Sequence, residues 1–429
     1  MRNLRCDVLV IGSGPAGLAA AYQARECGAR DVLVIERNAE LGGILPQCIH
    51  NGFGVRVFQS DLTGPEYVAR WARMAAEAGV RTLTRTMVLA IESSPDGARR
   101  RVIATSGADG MLAIEPTALV LAMGCRERPR GALAIPGLRP AGVYTAGTAQ
   151  RLVNIEGYMP GERHVILGSG DIGMIMARRL TLEGARVEAM CEILPYVSGL
   201  RRNLVQCVMD YDIPLHLSTT VIDVAGRERV ESVTIAQVDA AWRPIAGTER
   251  VLPCDTLLLS VGLIPENELS RAAGVMIDPV TGGPVVDQAG ATSVPGVYAA
   301  GNVVHVYDLV DDVTASALRA GRSAAGCACC TLLAESCELP VTAGENVHHV
   351  VPQRVRLPLV PEEGATLELR VRQPVEKAVR VRLSADGDVL LNKRLRYVRP
   401  SEMIGLALQP EWNERLTSAG GLQVDVEEA

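Results

Sequence analysis

Aromatic residues and lysine are scarce in this sequence. Phe, Trp and Tyr together make up 3% of the 429 residues, which leaves few rings on which nucleic-acid bases could stack. The net charge is −6 and the basic residues form no stripe, so the sequence excludes a nucleic-acid-binding protein. The two lysines are Lys377 and Lys393, which excludes a P-loop lysine or a Schiff-base lysine in the main body of the chain.

Long apolar runs and a paired set of cysteines are also lacking. No apolar run approaches the ~20 residues that a membrane-spanning helix needs. The eleven cysteines are an odd number scattered through apolar segments, which favours reduced thiols in a cytoplasmic protein over a disulfide framework. With 48% hydrophobic and 21% charged residues, the sequence is typical of a globular protein of two or three domains.

Residues 6–36 predict a strand, a turn, a helix and a second strand. An apolar run leads into GSGPAG, an alanine-rich helical pattern follows, and a second apolar run ends at Glu36. Gly12 permits a tight turn, Gly14 lets the backbone approach a pyrophosphate, and Gly17 allows the helix to pack closely on the strand. The helix N-terminus would face the phosphates, and Glu36 stands where a carboxylate can accept hydrogen bonds from a ribose.

The same pattern returns at residues 164–192. Its turn contains Gly168, Gly170 and Gly173, and its second apolar run ends near Glu192. A single pattern of this kind also fits an ordinary strand-helix turn, whereas two copies in one chain indicate two dinucleotide-binding units.

The acid at the end of the second copy bears on the choice of nicotinamide nucleotide. Glu192 favours the free 2′-hydroxyl of NAD over the phosphate of NADP. The alternative is that Cys191 is the strand end and Glu188 is the ribose contact.

Each of these two glycine-rich patterns, which we call fingerprints, is followed downstream by an apolar strand that ends at a glycine. Residues 117–124 end on Gly124, and residues 255–262 end on Gly262. We interpret these as the final parallel strands of two sheets, where the chain leaves the carboxyl edge beside a ligand.

This duplicated pattern resembles the two-dinucleotide-binding-domain flavoproteins, the pyridine nucleotide-disulfide oxidoreductases that include thioredoxin reductase, over roughly residues 5–335. The resemblance implies an α/β fold with two Rossmann-like dinucleotide-binding domains. It places FAD on the first fingerprint and NAD, with NADP less favoured, on the second. The implied FAD-binding residues are Gly12, Ser13, Gly14, Pro15, Ala16, Gly17, Glu36, Arg37, Gly43, Val88, Gly124, Gly301 and Asn302, and the implied NAD(P)-binding residues are Gly168, Gly170, Asp171, Ile172, Gly173, Glu192 and Gly262.

The resemblance also implies that the chain returns to complete the FAD domain. Residues 292–304, TSVPGVYAAGNVV, are similar to the family segment that places an acid on the flavin ribityl chain, with Asn302 where Asp is usual. An amide still donates and accepts hydrogen bonds there. A helix beginning near Asp311 to Thr314 would point its positive end at the flavin pyrimidine edge. The alternative is a helix that only packs.

The segment GGILPQCIHNGFG, residues 42–54, lies where the larger disulfide reductases of the family carry two redox cysteines. It contains Cys48 alone, and residues 142–150, where thioredoxin reductase has its cysteine pair, contain none. Disulfide reductase activity is therefore not expected. Cys48 and His50 would line the reacting face of the flavin, with His50 as a proton carrier. The alternative is that both only shape the pocket, and no further ligands at metal spacing accompany them.

Other cysteines offer weaker hypotheses. Residues 327–330, CACC, with Cys337 match no iron-sulfur spacing, so we interpret them as packing thiols on a helix. Cys125 follows a strand-closing glycine and is a second candidate for a thiol near the flavin.

Residues 345–429 fall outside the flavoprotein pattern. Runs such as TLELRVRQ and KAVRVRLSADGDVLLNKRLRYV alternate apolar and charged residues, which predicts a small all-β module of sandwich type. We interpret GEN at 344–346 as a linker, and the module serves either docking and oligomerisation or stability. The expected domains are residues 1–136 and 264–340 for FAD, 137–263 for NAD(P), and 345–429 for the β module.

Longer strings, among them LGGILPQCIHNGFG and AMGCRERPRGA, resemble the flavoprotein subunits found beside a bacterial anaerobic glycerol-3-phosphate dehydrogenase. More distant similarity extends to flavoprotein subunits of opine oxidase, hydrogen cyanide synthase and sarcosine oxidase. This implies an FAD-dependent, NAD(P)-linked oxidoreductase that transfers hydride between nicotinamide and flavin and exchanges electrons with a partner dehydrogenase. The alternatives are a stand-alone NADH oxidase or NADH:acceptor reductase, and a non-catalytic nucleotide-binding redox sensor. The oligomeric state stays open and allows a homo-oligomer.

Overall fold

The computed structural model of the chain divides into two compact units. One unit consists of Met1–Cys125 with Pro265–Ala429, and the other is Arg126–Ile264. The first unit is therefore built from two stretches of chain with the second unit inserted between them. The expected FAD segment 264–340 includes residues 331–336, which lie outside the described residues. The structure describes residues 1–94, 100–330, 337–360 and 364–429.

A seven-stranded mixed sheet forms the centre of the first unit. Its strand Arg2–Ile11 ends in four buried apolar residues, as expected of a parallel strand that is covered on both faces. This strand pairs in parallel with Val32–Ile35 and with Gly110–Leu121, and the end of Gly110–Leu121 pairs with the returning strand Val297–Ala299. The chain therefore does return to this sheet. The strand order is Arg81–Leu83, Val32–Ile35, Arg2–Ile11, Gly110–Leu121, Arg100–Ser106 and Thr86–Ser93, with Val297–Ala299 beside the end of Gly110–Leu121.

Three helices cover one face of this sheet. Pro15–Glu26 begins with a proline in its first turn, where the missing N–H costs nothing, and Gly64–Glu77 begins with a capping box between Thr63 and Glu66. The third helix, Val310–Ala328, begins one residue before the predicted region. The smaller elements of this part are the helices Leu45–Gln47, Glu268–Ala272 and Gly301–Val303 and the short strands Asn51–Phe53 and Leu62–Thr63.

Helices Pro15–Glu26 and Val310–Ala328 cross where both carry small residues. Ala20 and Ala317 are fully buried, and a Cβ built on Gly321 would lie 2.2 Å from the carbonyl oxygen of Ala20. The helices therefore approach so closely that position 321 has no room for a side chain.

The second unit is a parallel sheet with an antiparallel sheet beside it. The parallel sheet contains the predicted strands Arg163–Leu167 and Thr256–Leu259, which pair with each other. Helix Asp171–Leu182 follows the second fingerprint. The strand order in the parallel sheet is Val143–Thr145, Thr256–Leu259, Arg163–Leu167, Arg186–Cys191 and Leu215–His216, and that in the antiparallel sheet is Thr219–Ala225, Ser232–Gln237 and Arg250–Pro253. The remaining helices are Arg130–Leu133, Ala146–Arg151, Leu152–Glu156, Arg201–Asn203, Leu204–Val208 and Met209–Tyr211. The short strands Cys125–Glu127 and Leu263–Pro265 pair with each other.

The C-terminal residues of the first unit form two further sheets around their own apolar core. Side chains from both sheets, among them Leu367 and Leu406 from one and Val381 and Val424 from the other, share a single buried cluster. This confirms the predicted β module, including the hairpin around Asp386. The five-stranded sheet has the order Arg354–Leu357, Cys337–Ala343, Leu422–Glu428, Val379–Ala385 and Asp388–Leu395. The three-stranded sheet has the order Val347–Val351, Ala365–Val371 and Ile404–Leu408, and the short helices Pro410–Trp412 and Asn413–Thr417 lie between strands in the sequence.

Two local expectations for this region are wrong. Residues 344–346 are the turn between the strands Cys337–Ala343 and Val347–Val351, so they are not a linker. Cys329, Cys330 and Cys337 are exposed, so they are not packing thiols. The helix ends at Ala328, just before Cys329 and Cys330, and Cys337 is the exposed first residue of the strand Cys337–Ala343.

The described part of the chain lacks three features. None of the eleven cysteines, all of which are described, is joined in a disulfide. No cluster of three or more His, Cys, Asp or Glu side chains among the described residues has the arrangement of a metal site. No helix in this part is long and apolar enough to cross a membrane.

The helix crossing gives the first prediction. We expect Gly321→Ala to lower the free energy of unfolding by about 2–3 kcal/mol, because the added methyl meets backbone and forces the helices apart. Gly107→Ala is the matched control, because a Cβ there meets no described atom within 4 Å, and its effect should stay within about 0.5 kcal/mol. Urea titrations followed by circular dichroism measure both. Equal effects of the two substitutions would contradict the close crossing.

Candidate functional site

The first glycine turn closes tightly on one side and stays open on the other. Gly12 has φ +100°, and a Cβ there would lie 2.5 Å from the carbonyl oxygen of Ala122. A Cβ on Gly17 would lie 1.8 Å from the Gly12 carbonyl oxygen, so helix and strand are in contact. On Gly14 a Cβ would lie 4.0 Å from its nearest described neighbour, the Gly43 Cα. The turn is therefore open at the position where a phosphate would approach.

A buried carboxylate holds this turn in shape. Glu36 is 4% exposed, and its Oε2 accepts hydrogen bonds from the Ser13 backbone N–H at 3.0 Å and the Ser13 hydroxyl at 2.6 Å. Its Oε1 accepts one hydrogen bond, from the backbone N–H of Asn38 at 2.8 Å. Because a carboxylate offers about four acceptor sites, Oε1 retains capacity for a further donor such as a ribose hydroxyl.

The loop 42–54 lies directly against the first turn. The Gly42 N–H donates to both oxygens of Ser13, at 3.0 Å to the carbonyl and 3.2 Å to the hydroxyl. A Cβ on Gly43 would lie 2.9 Å from the Gly14 Cα. Gly43, with φ +59°, is therefore needed for a close approach of two backbones.

The returning segment reaches the same place. A Cβ on Gly301 would lie 2.7 Å from the Ala16 Cβ, so the 301–303 turn contacts the start of the first helix. The Asn302 amide donates to Cys125 Sγ at 3.7 Å and accepts from the Tyr307 N–H at 3.1 Å. The structure thus brings together the first turn, the loop 42–54 and the returning segment, which come from three distant parts of the sequence.

The remaining predicted FAD residues lie around this assembly in different settings. Arg37 is exposed directly after Glu36. Val88 is 7% exposed in the strand Thr86–Ser93, whose first N–H donates to the Glu36 carbonyl oxygen at 2.9 Å. Gly124 has φ +71° just beyond the strand Gly110–Leu121, and Pro15 is the first residue of the helix.

The second unit repeats the Gly-Ser-Gly turn held by a buried carboxylate, an arrangement that we call a cradle. A Cβ on Gly168 would lie 2.1 Å from the Ser260 carbonyl oxygen, which repeats the contact of Gly12. Glu192 is 4% exposed, and its Oε2 accepts from the Ser169 N–H at 2.9 Å, the Ser169 hydroxyl at 2.5 Å and the Ser198 hydroxyl at 2.9 Å. Its Oε1 accepts one bond, from the Leu194 N–H at 3.0 Å.

This repetition reveals two residues that the sequence analysis missed. Ser169 stands in GSG as Ser13 does in the first copy, so the repeated tripeptide was a usable signal. Ser198 lies 29 residues further on and carried no such signal, since its contact depends on how the chain folds back.

The alternative ribose contact is engaged elsewhere. Glu188 lies within the strand Arg186–Cys191 and pairs with Arg163 at 2.8 Å and with Arg186 at 3.2 Å. Cys191 is fully buried at the strand end, and Glu192 follows it. Glu192 is therefore the acid whose surroundings match those of Glu36.

The other predicted residues of the second unit are positioned less directly. Asp171 begins the helix, and its Oδ1 accepts from the Leu200 N–H at 2.9 Å and the Asn203 amide at 2.6 Å. The Gly173 N–H donates to the Ser260 hydroxyl at 2.9 Å. A Cβ on Gly170 would lie 3.3 Å from that hydroxyl. The further members of the predicted set are Ile172, half-buried in the first helical turn, and Gly262, with φ +98° after the strand Thr256–Leu259.

Cys48 and His50 differ in their surroundings. Burial raises the pKa of the Cys48 thiol to about 12, so the thiol is protonated at neutral pH and is a poor nucleophile. The His50 ring packs on Phe53 with centroids 5.1 Å apart, and its Nδ1 lies 3.0 Å from the Asn51 carbonyl oxygen. A carbonyl accepts only, so Nδ1 carries the proton and Nε2 is the acceptor of the neutral ring.

The start of helix Val310–Ala328 carries acids that the helix-dipole argument did not weigh. Asp311 is 5% exposed; its Oδ2 accepts from the Arg56 N–H at 3.1 Å, and its Oδ1 has no partner among the described residues. Asp312 pairs with the Arg56 guanidinium at 2.7 Å. The Thr314 hydroxyl lies 2.7 Å from the Tyr67 hydroxyl. These carboxylates oppose part of the positive potential at this helix end.

The protonated state of Cys48 gives a second prediction. At pH 7 an alkylating reagent should modify Cys48 at least about a hundredfold more slowly than the exposed Cys27, because the thiolate is the reactive form. Peptide mass spectrometry over time measures both rates, and in urea they should converge. Equal rates in the native protein would contradict the assignment of a protonated, protected Cys48 thiol.

Comparison with known proteins supports the same architecture. Residues 6–324, about three quarters of the chain, match the family described as pyridine nucleotide-disulphide oxidoreductase. The thioredoxin reductase structure from T. acidophilum aligns with a TM-score of 0.62 and 22% identity, over 75% of this chain and 98% of that chain. The predicted α/β fold with two dinucleotide-binding domains is therefore confirmed.

Sequence relatives include components of three larger enzymes. A component of the opine oxidase of Agrobacterium tumefaciens is 31% identical over 69% of this chain and 61% of its own length. The HcnB component of the hydrogen cyanide synthase of Pseudomonas protegens is 25% identical over 62% and 58%, and the alpha chain of the sarcosine oxidase of Corynebacterium is 27% identical over 80% and 35%. The match spans about three fifths or less of these relatives. The predicted distant similarities are confirmed, and the association with glycerol-3-phosphate dehydrogenase stays a prediction. The chain belongs to the pyridine nucleotide-disulphide oxidoreductase family.

Proposed function

We propose that the first cradle binds FAD, that the second binds NAD, and that this protein passes electrons between NAD and a partner dehydrogenase. The observation that carries the proposal is the duplicated cradle, in which a buried carboxylate at a strand end holds a Gly-Ser-Gly turn. FAD supplies a ring that accepts or gives a hydride; the chain's part is to bind and orient it and to exclude water.

The residues of the first cradle fit an adenine dinucleotide. Gly14 leaves open space above the turn, and the N-terminus of the helix Pro15–Glu26 faces that space with its partial positive charge. Glu36 Oε1 retains acceptor capacity for ribose. The Asn302 amide, held by the Tyr307 N–H and beside Cys125, is suited to hydroxyl groups of the ribityl chain.

The second cradle supports NAD in preference to NADP. Glu192 repeats the position and hydrogen bonds of Glu36, so the site presents a buried negative charge to the ribose. A 2′-phosphate there would meet repulsion, whereas a 2′-hydroxyl would donate a hydrogen bond.

The cysteines near the first cradle do not support electron transfer to a disulfide of this protein. Residues 42–54 contain Cys48 alone, and the pKa of its thiol is raised to about 12. A disulfide relay needs two thiols, one of them readily ionised. We therefore expect the acceptor to be another molecule, and the relatives that are subunits of larger enzymes support a partner subunit. A partner dehydrogenase for an amine, an opine or glycerol 3-phosphate is our proposal for it.

Anaerobic titration with NADH, followed by admission of air, tests the proposal against its alternatives. We expect NADH to bleach the flavin absorbance near 450 nm and reoxidation in air to be slow without a partner. Rapid oxygen-driven turnover by the purified protein would indicate a stand-alone NADH oxidase. A flavin that no pyridine nucleotide bleaches would indicate a non-catalytic redox sensor.

A third prediction concerns Glu36. We expect Glu36→Gln to raise the FAD dissociation constant at least about tenfold, because the carboxylate accepts on both oxygens and an amide would set one N–H against another. Fluorescence titration of the apoprotein with FAD measures this. Glu40→Gln, an exposed acid four residues away, is the control. Unchanged FAD affinity in a folded Glu36→Gln variant would contradict the assignment.

A fourth prediction concerns Glu192. We expect Glu192→Gln to raise the KM for NADH about tenfold while the KM for NADPH stays constant or falls, because the loss of the charge removes both a ribose acceptor and the repulsion of a phosphate. Dye-linked assays with both nucleotides provide the measurement. Glu188→Gln serves as control, since Glu188 pairs with Arg163 and Arg186 instead. The NAD assignment fails if the two variants respond alike.

A further inference from the structure

The C-terminal β module contacts the turn that leads from Asn302 to the helix Val310–Ala328. The contact comes from the strand Ala365–Val371, whose side chains Glu368 and Arg370 reach the residues that follow Asn302. Both parts belong to the first compact unit.

Glu368 contacts a buried histidine in this turn. His305 is 2% exposed, and its Nε2 lies 3.2 Å from Glu368 Oε2. The His305 ring packs on Tyr307 with centroids 4.2 Å apart and meets His349 of the module edge-on at 5.9 Å. The module thus supplies two of the side chains that surround His305.

Arg370 holds the next part of the turn from the same strand. Its Nη2 donates to the Val306 carbonyl oxygen at 3.0 Å and pairs with the Asp308 carboxylate. The other oxygen of Asp308 accepts from the Met403 N–H of the module at 2.7 Å. Two residues of the turn are therefore fixed by charge-assisted bonds to the module, which are roughly twice as strong as neutral ones.

These contacts continue to the residues proposed for flavin. The Tyr307 N–H donates to Asn302 Oδ1 at 3.1 Å, and Tyr307 packs on His305. At the helix start, burial and then the charges of Glu368, Asp311 and Asp308 raise the pKa of Asp312 above its ordinary value, against the lowering effect of Arg56. The charge of Glu368 therefore acts at the helix start.

This contact contains buried polar atoms that lower stability, which a contact that only adds stability would not be expected to contain. His305 Nδ1 and His349 Nε2 are buried and have no hydrogen-bond partner among the described residues. Each such atom costs about 1–3 kcal/mol, whereas an apolar contact of the same area would carry no such cost. Buried polar groups that lower stability are expected where position or charge serves function.

We infer that the C-terminal β module is a part of the flavin site, in which Glu368 and Arg370 act as positioning residues for Asn302 and the start of helix Val310–Ala328. This rests on the proposed assignment of those two elements to FAD. It differs from both roles that the sequence suggested for the module, docking and general stability.

The test compares Glu368→Gln with Glu376→Gln in the full-length holoprotein. Glu376 is a carboxylate of the same module that pairs with Arg399 on its surface. We expect Glu368→Gln to shift the flavin midpoint potential to a more positive value, because a negative charge near the helix start is removed. We also expect a changed flavin visible circular dichroism spectrum and an FAD dissociation constant about tenfold higher. Glu376→Gln should match the wild type in all three.

The outcomes separate this inference from the proposed function. If Glu368→Gln keeps the wild-type potential and flavin spectrum, the inference is overturned while the proposed function stands. If the wild-type protein binds no FAD, the proposed function fails first and the inference fails with it. Should Glu368→Gln fail to fold, Arg370→Lys gives the same readouts. It keeps the charge but cannot contact Val306 and Asp308 in the same planar geometry, so an unchanged spectrum would again overturn the inference.

Discussion

A buried carboxylate that closes a glycine turn is the interaction on which the structure of both units depends. Each turn has a left-handed first glycine pressed against a neighbouring strand, and each would expose backbone N–H groups without a partner if the acid were absent. Glu36 and Glu192 accept the serine N–H and hydroxyl on one oxygen, and the other oxygen accepts a backbone N–H from two residues further on. Under the proposed function the same group both holds the turn and presents an acceptor to a ribose, which would link the stability of each turn to the recognition of its nucleotide.

The two units share this cradle but differ in what surrounds it. In the first unit the loop 42–54 bonds to the glycine turn, and the returning turn at Gly301 contacts Ala16 at the start of the first helix. The helix Val310–Ala328 packs on the helix Pro15–Glu26, and the β module bonds to the residues that follow the returning turn. In the second unit Ser198 adds a further donor to the acid. A half-buried, protonated Cys48 stands where a reactive cysteine pair would be needed, so under the proposed function transfer to another molecule is the expected route.

Most of the features that the sequence predicted come from patterns within short stretches of the chain. The apolar runs, glycine spacing and strand-end acids are encoded within about 30 residues, so the strand, turn, helix and strand of both cradles were predicted. The sequence favoured Glu192 and left Glu188 as the alternative ribose contact, because the ion pairs of Glu188 with Arg163 and Arg186 were not accessible from it. Nor were the contacts of Glu368 and Arg370 with His305 and Asp308, which join residues more than 60 positions apart. The exposed Cys329 and Cys330 were misjudged because composition does not show where a helix ends, and Cys337 because it lies on a strand of the β module.

The proposed function depends on hydride transfer from NADH to the bound flavin. Single-turnover reduction of the holoprotein by NADH, compared with NADH carrying deuterium at the transferred position of C4, tests it most directly. We expect one flavin reduced per NADH consumed and slower bleaching with the deuterated nucleotide, because the hydride itself moves. A flavin absorbance that neither nucleotide changes would contradict it.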